Sequence, residues 1–351
     1  MDTVVSLSSD TETRPTAGMR AALAAAEVGD EQKGQDPTVA RLQERVADLL
    51  GKEAALWLPT GTMCNLVAVK THTRPGDALV AEAMAHVIRA ESGGAALASG
   101  VMVQGIHTER GVFTAAELEA ALDRVVAVPV PYGQPVGLVC VEQTHNFGGG
   151  AVWTREELAA VAACARSRGV PVHMDGARLM NACVASGVPA AAFAAEVDTL
   201  WIDFTKGLGA PIGAVLAGSR DFITAARRYK QLFGGAMRQA GVAAAGCLYA
   251  LDHHVDRLAE DHEHARLLAG GLAAIDGIKV RNTAPQTNMV FFDVSGLGLS
   301  NREFVDRLAA AGVRIGGAGG QIRAVTHLDV SRQGVEKSLA AIGRIASAAH
   351  G

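Results

Sequence analysis

The sequence has little that would direct it to nucleic acid, to a membrane or to an oxidising compartment. Its 351 residues carry 32 Lys and Arg against 36 Asp and Glu, without a basic block, which gives no indication of nucleic-acid or anionic-membrane binding. No apolar run reaches the ~18 residues of a spanning helix, and the N-terminus Met1-Asp-Thr-Val-Val5 lacks the basic start of a signal peptide. We therefore expect a cytoplasmic protein that binds neither membranes nor nucleic acid.

Cysteine and histidine patterns give no sign of disulfides or of a metal centre. The five cysteines are widely spaced, odd in number and never arranged as Cys-x-x-Cys, which is typical of buried thiols in a reducing compartment. His253-His254 and His262-Glu-His264 do not have the spacing of metal ligands, and a solvated helix face is the better interpretation. We predict that the chain has no metal site.

The apolar pattern indicates an α/β fold with two domains. Short apolar runs without alternation are typical of parallel strands buried on both faces. We predict such strands at Ala54–Leu58, Ala78–Ala81, Val101–Gly105, Val136–Glu142, Val170–Asp175, Thr199–Phe204 and Ile212–Ala217. Helices are predicted between them, and Thr154-Arg-Glu-Glu157 has the form of a capping box. We predict a large domain with a mainly parallel sheet at 1–250 and a smaller α+β domain at 251–351.

The most informative pair of residues is Asp175 and Lys206. Each ends an apolar run, and about thirty residues separate them, which is the length of one strand–helix–strand unit. They should therefore lie at the ends of neighbouring parallel strands. Pyridoxal phosphate needs a lysine for its Schiff base and a carboxylate that keeps its ring nitrogen protonated, so this pairing predicts a site for that cofactor.

Other motifs are compatible with the same site, although each has an ordinary structural explanation. Pro59-Thr-Gly-Thr62 leads from a strand into a helix, whose N-terminus can bind a phosphate, but alone it is more often a plain turn. Thr205 precedes the lysine and could add a hydroxyl. His86 could stack on a cofactor ring or serve as a structural hydrogen-bond partner.

Three arginines could bind the carboxylate of an amino-acid substrate. Arg178, Arg238 and Arg323 follow or end apolar runs, and a planar guanidinium holds a carboxylate with two hydrogen bonds. Most arginines are solvated surface groups, so none of the three is assigned on this pattern alone.

Taken in order along the chain, several motifs resemble one known family. They are Ser8-Ser-Asp-Thr-Glu-Thr-Arg-Pro15, Gly34-Gln-Asp-Pro-Thr38, Thr60-Gly-Thr-Met63, Glu142-Gln-Thr-His-Asn146, His173-Met-Asp-Gly-Ala-Arg178, Phe233-Gly-Gly-Ala-Met-Arg-Gln239 and Arg323-Ala-Val-Thr-His-Leu-Asp329. This set is similar to the low-specificity L-threonine aldolases, which are pyridoxal-phosphate enzymes of fold type I, the aspartate aminotransferase fold, related to the β-eliminating lyases. The resemblance runs from about residue 5 to 345.

The resemblance implies a role for each of these positions. Lys206 would bind the cofactor, Asp175 would pair with its ring nitrogen and His86 would stack on the ring. The remaining positions would hold the phosphate (Gly61, Thr62 and Thr205), grip the substrate carboxylate (Ser9, Arg178 and Arg323) and reach toward the cofactor site of a neighbouring subunit (Arg238). The implied activity is cleavage of L-threonine, L-allo-threonine or a related L-β-hydroxy-α-amino acid to glycine and an aldehyde, in a homo-oligomer that is usually a tetramer.

Departures from the family pattern lie at the substrate end. Lys33 stands where the family usually has a tyrosine, and counting back ten residues from Glu142 places Tyr132 where a histidine is common. By the resemblance both positions meet the aldehyde part of the substrate. An ordinary tyrosine is a poor base at neutral pH because its pKa is about 10, so we expect His86, or a water beside it, to take the proton. A different reaction on the same scaffold, β-elimination or racemisation, stays open. The intact Lys206 and Asp175 argue against a protein that has lost catalysis.

Overall fold

Two β-sheets with helices packed on their faces organise the chain. The computed structural model describes residues 4–129, 131–318 and 320–350. The strands are β1 (Val5–Leu7), β2 (Ala54–Leu58), β3 (Ala78–Glu82), β4 (Met102–Ile106), β5 (Val136–Glu142), β6 (Val172–Asp175), β7 (Thr199–Asp203), β8 (Ala214–Gly218), β9 (Lys279–Val280), β10 (Met289–Asp293), β11 (Val313–Ala318) and β12 (Gln321–Val325). The helices are α1 (Ala17–Ala24), α2 (Pro37–Leu50), α3 (Gly61–His72), α4 (His86–Arg89), α5 (Ala115–Val126), α6 (Arg155–Ser167), α7 (Leu179–Ser186), α8 (Ala190–Ala194), α9 (Arg220–Leu232), α10 (Gly241–His253), α11 (Leu258–Ala273), α12 (Asn301–Ala310) and α13 (Arg332–His350).

The first sheet has seven strands in the order β2-β8-β7-β6-β5-β3-β4. Strands β4, β3, β5, β6 and β7 run parallel to one another, whereas β8 is antiparallel to both of its neighbours. Helices cover both faces, so most of these strands are buried and read as unbroken apolar runs. All seven predicted strands are confirmed, with ends that differ by two residues or fewer.

The second sheet has five strands in the order β1-β11-β12-β10-β9. Strand β1 belongs here, because it pairs in parallel with β11 at Val5↔Val313. We did not predict β1 or β12, since β1 has only three residues and β12 begins only three residues after the end of β11. The core of this sheet includes Leu7 together with residues from Ala265 to Ala346. The domain division near residue 250 stays a prediction.

Local capping explains where several helices begin. Thr154 caps α6, and its side chain and that of Glu157 exchange hydrogen bonds with the opposite backbone N–H groups, so the predicted capping box is confirmed. The prediction of a solvated helix face is confirmed for His253, which is exposed, but is wrong for His254 and His262. His254 is 5% exposed and its Nδ1 lies 2.7 Å from the Leu208 carbonyl oxygen, while His262 is buried against Asn181. Within the described residues, no helix combines the length and apolarity that crossing a membrane requires.

Candidate active site

Acidic residues gather at the carboxyl edge of the large sheet. Strands β3, β5, β6 and β7 end in Glu82, Glu142, Asp175 and Asp203, and each of these residues is at most 4% exposed. Glu142 and Asp175 are directly paired in the register of β5 and β6. Because charged groups are costly to bury without partners, this edge must supply hydrogen-bond donors or cations. It is also the edge at which parallel α/β sheets form their sites.

Lys206 lies three residues beyond the end of β7. Its Nζ is 2.6 Å from Asp203 Oδ2, and its backbone carbonyl accepts a hydrogen bond of 2.8 Å from the Thr13 hydroxyl. Strands β6 and β7 are parallel neighbours, which confirms the predicted placement of the strands that carry Asp175 and Lys206. Thr205 donates from its N–H and its hydroxyl to Asp203 Oδ1. Asp203 therefore fixes both residues.

Asp175 is buried and is held by amide donors. Its Oδ2 accepts from Asn65 Nδ2 at 2.8 Å, and its Oδ1 accepts from the backbone N–H of Ala177 at 3.0 Å. Burial, and then the negative charges of Glu142 and Glu91, raise the pKa of Asp175 from 3.8 to about 6. A cation placed beside this carboxylate would lower its pKa again, as a protonated ring nitrogen would.

The N-terminus of α3 lies against the same site. Thr60 caps the helix by accepting from the Met63 N–H, so the N–H groups of Gly61 and Thr62 have no partner within the helix. A Cβ at position 61 would lie 2.3 Å from the ring of Trp201, and only glycine fits there. The Trp201 ring centroid is also 5.7 Å from Lys206 Nζ. The potential phosphate site and the lysine therefore share one aromatic wall.

His86 opens α4 beside two carboxylates. Its backbone N–H donates to Glu142 Oε2 at 2.7 Å, and its Nδ1 lies 2.8 Å from Glu91 Oε1. The hydrogen bond to Glu91 raises the pKa of His86, against the effect of burial. With Nδ1 occupied by a carboxylate, Nε2 is the nitrogen left to exchange protons on the partly exposed side of the ring.

Arg178 is paired with a carboxylate that the sequence analysis did not assign. Its Nε and Nη2 each lie 2.7 Å from an oxygen of Asp10. The two side chains are 5% and 0% exposed, and Asn288 adds a third hydrogen bond to Asp10. Asp10 therefore anchors the guanidinium that we expected to bind substrate.

Arg323, in contrast, has no carboxylate within 4 Å among the described residues. Its Nη1 donates to Asn146 Oδ1 at 2.8 Å and its Nη2 to the Ser8 carbonyl at 3.2 Å. The Nε is buried without a hydrogen-bond partner in the described part of the chain. Burial, and then the charge of the nearby Arg178, lower the pKa of Arg323. Ser9 follows Ser8 and accepts two hydrogen bonds from Thr11.

Arg238 and Lys33 lie together on an exposed surface. Arg238 Nη1 is 3.1 Å and Lys33 Nζ is 3.8 Å from Asp30 Oδ2, and the arginine and lysine side chains are 60% and 67% exposed. The segment before Arg238 packs on the first turn of α3, since a Cβ at Gly235 would lie 2.2 Å from Met63 Sδ. This surface is therefore next to the α3 N-terminus.

Tyr132 lies away from these groups within its own chain, and its contact with the substrate stays a prediction. It is 84% exposed and precedes β5, in a loop where the Pro135 carbonyl accepts from Ala78 at the beginning of β3. The seven residues of β5 span ~20 Å. Tyr132 therefore lies at the opposite edge of the sheet from Glu142 and Asp175.

The sequence analysis missed four residues that support the site: Asp10, Asn65, Glu91 and Asp203. Asn65 and Glu91 carry the hydrogen bonds that link His86 to Asp175. A polar residue within the otherwise apolar stretch 63–69 of α3 was a signal that could have identified Asn65. His86 Nδ1, Glu91 and Asp175 lie within 4.8 Å of one another, as metal ligands could. The Asn65 amide, however, already donates a hydrogen bond to both carboxylates.

Comparison with known proteins identifies the family. Residues 6–295 match the family model for β-eliminating lyases. The chain is 38% identical over 340 residues to low-specificity L-threonine aldolase 1 of Arabidopsis thaliana, covering 95% of this chain and 94% of that protein. It is 39% identical over 333 residues to the low specificity L-threonine aldolase of Escherichia coli K12, with 94% and 96% covered. The threonine aldolase structure of Leishmania major superposes with a TM-score of 0.83 over 97% and 99% of the two chains, at 22% identity, and so shares the fold.

The geometry fits pyridoxal phosphate. The site holds a lysine three residues beyond a sheet strand, a buried carboxylate with a raised pKa, and a helix N-terminus at which a side chain would clash. These are the groups that bind the aldehyde, the ring nitrogen and the phosphate of this cofactor. The chain therefore belongs to the β-eliminating lyase family, among its low-specificity L-threonine aldolases, and is a pyridoxal-phosphate-dependent lyase.

Proposed function

We propose that this chain cleaves the Cα–Cβ bond of L-threonine, L-allo-threonine and related L-β-hydroxy-α-amino acids, giving glycine and an aldehyde, which is acetaldehyde from threonine. The observation that carries the proposal is Arg323. It is a largely buried guanidinium without a carboxylate partner in the described residues, and its Nε has no hydrogen bond. Such a group needs an anion, and the carboxylate of an amino acid is a planar anion that matches it.

Positioning by the arginines selects the bond that breaks. Bound pyridoxal phosphate supplies the electron sink that accepts the electron pair of the cleaved bond. Arg323, with Arg178 and Ser9 beside it, holds the substrate carboxylate and so sets the rotation about the bond from nitrogen to Cα. With the cofactor bound, this rotation would decide which bond at Cα breaks, because only a bond that overlaps with the π system would be cleaved.

The protein groups around the cofactor have separate tasks. Asp175, held ionised by Asn65 and the Ala177 N–H, supports a positive charge on the ring nitrogen. Lys206 forms the covalent link to the protein. The N–H groups of Gly61 and Thr62 face the phosphate at the N-terminus of α3. Thr205 would have to redirect its hydroxyl from Asp203 to reach the same group.

His86 is the base in this proposal. Its Nδ1 is fixed against Glu91, so its Nε2 is free to accept the proton of the β-hydroxyl, directly or through a water. The carboxylate of Glu91 stabilises the imidazolium that forms. This arrangement explains how the reaction can begin without Tyr132.

We also infer that the chain works as a cytoplasmic homo-oligomer. Arg238 is exposed beside the apolar residues Leu232, Met237 and Val242, which are exposed as well. A second copy of the chain placed on this surface would cover the apolar side chains. It would also bring Arg238 of the first copy toward the cofactor site of the second copy. The five cysteines are free, which is compatible with a reducing compartment. Light scattering on the purified holoenzyme measures the assembly, and a monomer would refute this inference.

Two measurements test the proposed function. Borohydride reduction of the holoenzyme followed by peptide mapping should place the cofactor on Lys206, and a label elsewhere would contradict the assignment. The holoenzyme should then release glycine and an aldehyde from L-threonine, L-allo-threonine and phenylserine. Release of pyruvate, ammonia and chloride from β-chloroalanine, without release of glycine from the three hydroxy amino acids, would identify an eliminase. Formation of the D-amino acid without glycine would identify a racemase.

A further inference from the structure

Asn65 makes four hydrogen bonds inside the protein. It lies on α3 and is 1% exposed. Its Oδ1 accepts from Trp201 Nε1 at 2.7 Å and lies 3.2 Å from His173 Nε2. Its Nδ2 donates to Asp175 Oδ2 at 2.8 Å and to Glu91 Oε1 at 2.7 Å. Both lone pairs and both amide protons of the side chain are therefore used.

The partners fix the orientation of this amide. An indole N–H can only donate, so the atom facing Trp201 must be the amide oxygen, and the NH₂ group must face the two carboxylates. His173 must then donate from Nε2. Burial lowers the pKa of His173 to about 3, so its ring is neutral and its Nδ1 is an acceptor for the Thr199 hydroxyl at 2.9 Å.

The same chain of hydrogen bonds continues away from the site. The Thr199 hydroxyl also lies 2.8 Å from His72 Nε2. With Thr199 donating to His173, His72 is the donor to Thr199. Every bond from His72 through Thr199, His173 and Asn65 then points in one direction and ends on the carboxylate of Asp175. The last donor in this chain is the NH₂ of Asn65.

The NH₂ group of Asn65 joins the two halves of the proposed site. Asp175 belongs to the half that supports the ring nitrogen, whereas Glu91 holds His86, the proposed base. We propose that Asn65 is a positioning residue that keeps Asp175 and Glu91 separate and correctly oriented, so that one amide sets both the ring-nitrogen partner and the base. This inference rests on the proposed function for the role of His86 but not for the role of Asp175.

The electrostatics agree with this geometry. Asp175 is faced by Asn65 from α3, by Glu142 from β5, and by His86 and Glu91 from the segment after β3. The two glutamates raise the pKa of Asp175, while His86 and the Asn65 hydrogen bond lower it. Removing the NH₂ group should therefore raise the pKa of Asp175 further. The carboxylate would then become protonated at a higher pH in the variant than in the wild type.

Asn65 also ties α3 to β7, so a purely structural role must be distinguished. Thr199→Val is the matched control, because it removes a buried hydrogen bond from the same chain but leaves every contact of Asn65 in place. Both variants should lose stability, since each leaves a buried polar group without its partner. Only a change at Asn65 should alter the response of the cofactor site to pH.

The experiment measures the dissociation constant of pyridoxal phosphate between pH 5 and 9, without substrate, for the wild type, Asn65→Ala and Thr199→Val. We expect Asn65→Ala to weaken binding at least tenfold at pH 7 and to shift the acid midpoint of affinity upward by half a pH unit or more. The dissociation constant of Thr199→Val should stay within threefold of the wild-type value, and its acid midpoint should be unchanged. Equal behaviour of the two variants would overturn the inference.

A second variant covers the case in which Asn65→Ala does not fold. Asn65→Asp keeps the shape of the side chain but loses the paired donors, so it should give an upward shift of the same sign. An unchanged midpoint in Asn65→Asp would overturn the inference. No substrate is used, so this experiment and the test of the proposed reaction can fail separately. If the wild type failed to cleave threonine but the Asn65 variants still shifted the acid midpoint of cofactor affinity, the role of Asn65 at Asp175 would be supported and only the proposed reaction would be refuted.

Discussion

Replacing Asp10 with asparagine tests whether the buried pair with Arg178 holds the substrate end of the site together. Both side chains are almost fully buried, and two hydrogen bonds of 2.7 Å join them. Asparagine has nearly the same shape as aspartate but turns one acceptor into a donor that faces the guanidinium. Arg178 would be left charged, buried and without its counterion.

We expect a large loss of stability, because the substitution removes one partner of a buried ion pair. Such changes typically destabilise by about 3–5 kcal/mol. Burial alone would raise the pKa of Asp10, but the charge and hydrogen bonds of Arg178 hold it well below its usual range. A lowered folded-state pKa stabilises the protein above the unfolded value of 3.8, and this stabilisation is lost as the pH falls through the folded-state pKa. The difference in the free energy of unfolding between the wild type and Asp10→Asn should therefore have its full size at pH 5–8 and become smaller in strong acid.

Urea unfolding of the cofactor-free protein measures this difference. The control is Asp252→Asn, since Asp252 pairs with Arg45 at 2.9 Å but the two side chains are about half exposed. The control should change the free energy of unfolding by less than about 1 kcal/mol. If Asp10→Asn lay within 1 kcal/mol of the wild type, or no further from it than the control, the reasoning from burial would be refuted.

Three further changes probe the rest of the site. Gly61→Ala should cost about 1–3 kcal/mol of stability and weaken cofactor binding, because its Cβ would lie 2.3 Å from Trp201; unchanged urea unfolding and cofactor titration would contradict the close contact. Arg323→Gln should raise KM for L-threonine at least about tenfold, because it removes a charged hydrogen-bond pair. Arg332→Gln, at an exposed position, should leave KM unchanged. Equal KM values for the two variants would show that Arg323 does not bind the substrate carboxylate. Tyr132→Phe should leave kcat/KM unchanged, and a tenfold fall would show that Tyr132 reaches a site after all.

The part of the site that follows the strand–helix rhythm could be predicted from the sequence. Asp175 and Lys206 were expected on neighbouring strands because one strand–helix–strand unit has a nearly fixed length, and β6 and β7 are indeed neighbours. The turn before α3 could be found for the same reason, since strand ends and helix starts leave a local pattern.

The partners that meet across the sheet left no local pattern, so these pairs were missed. Asn65 bonds to residues 110 and 136 positions away, and Asp10 bonds to Arg178 across 168 positions. Such pairs depend on which strands become neighbours, and several sheet orders are compatible with the same apolar runs.

The pairing of β1 with β11 has a consequence for how the chain is made. Val5 must wait for Val313, 308 residues later, which at ~5–20 residues per second takes about 15–60 seconds of translation. Ser9 and Asp10 follow β1 directly, so the proposed pocket for the substrate carboxylate cannot close until the ribosome has delivered the last strands of the second sheet. A nascent chain that has already formed the lysine and aspartate end of the site would therefore still lack the proposed pocket for an amino acid.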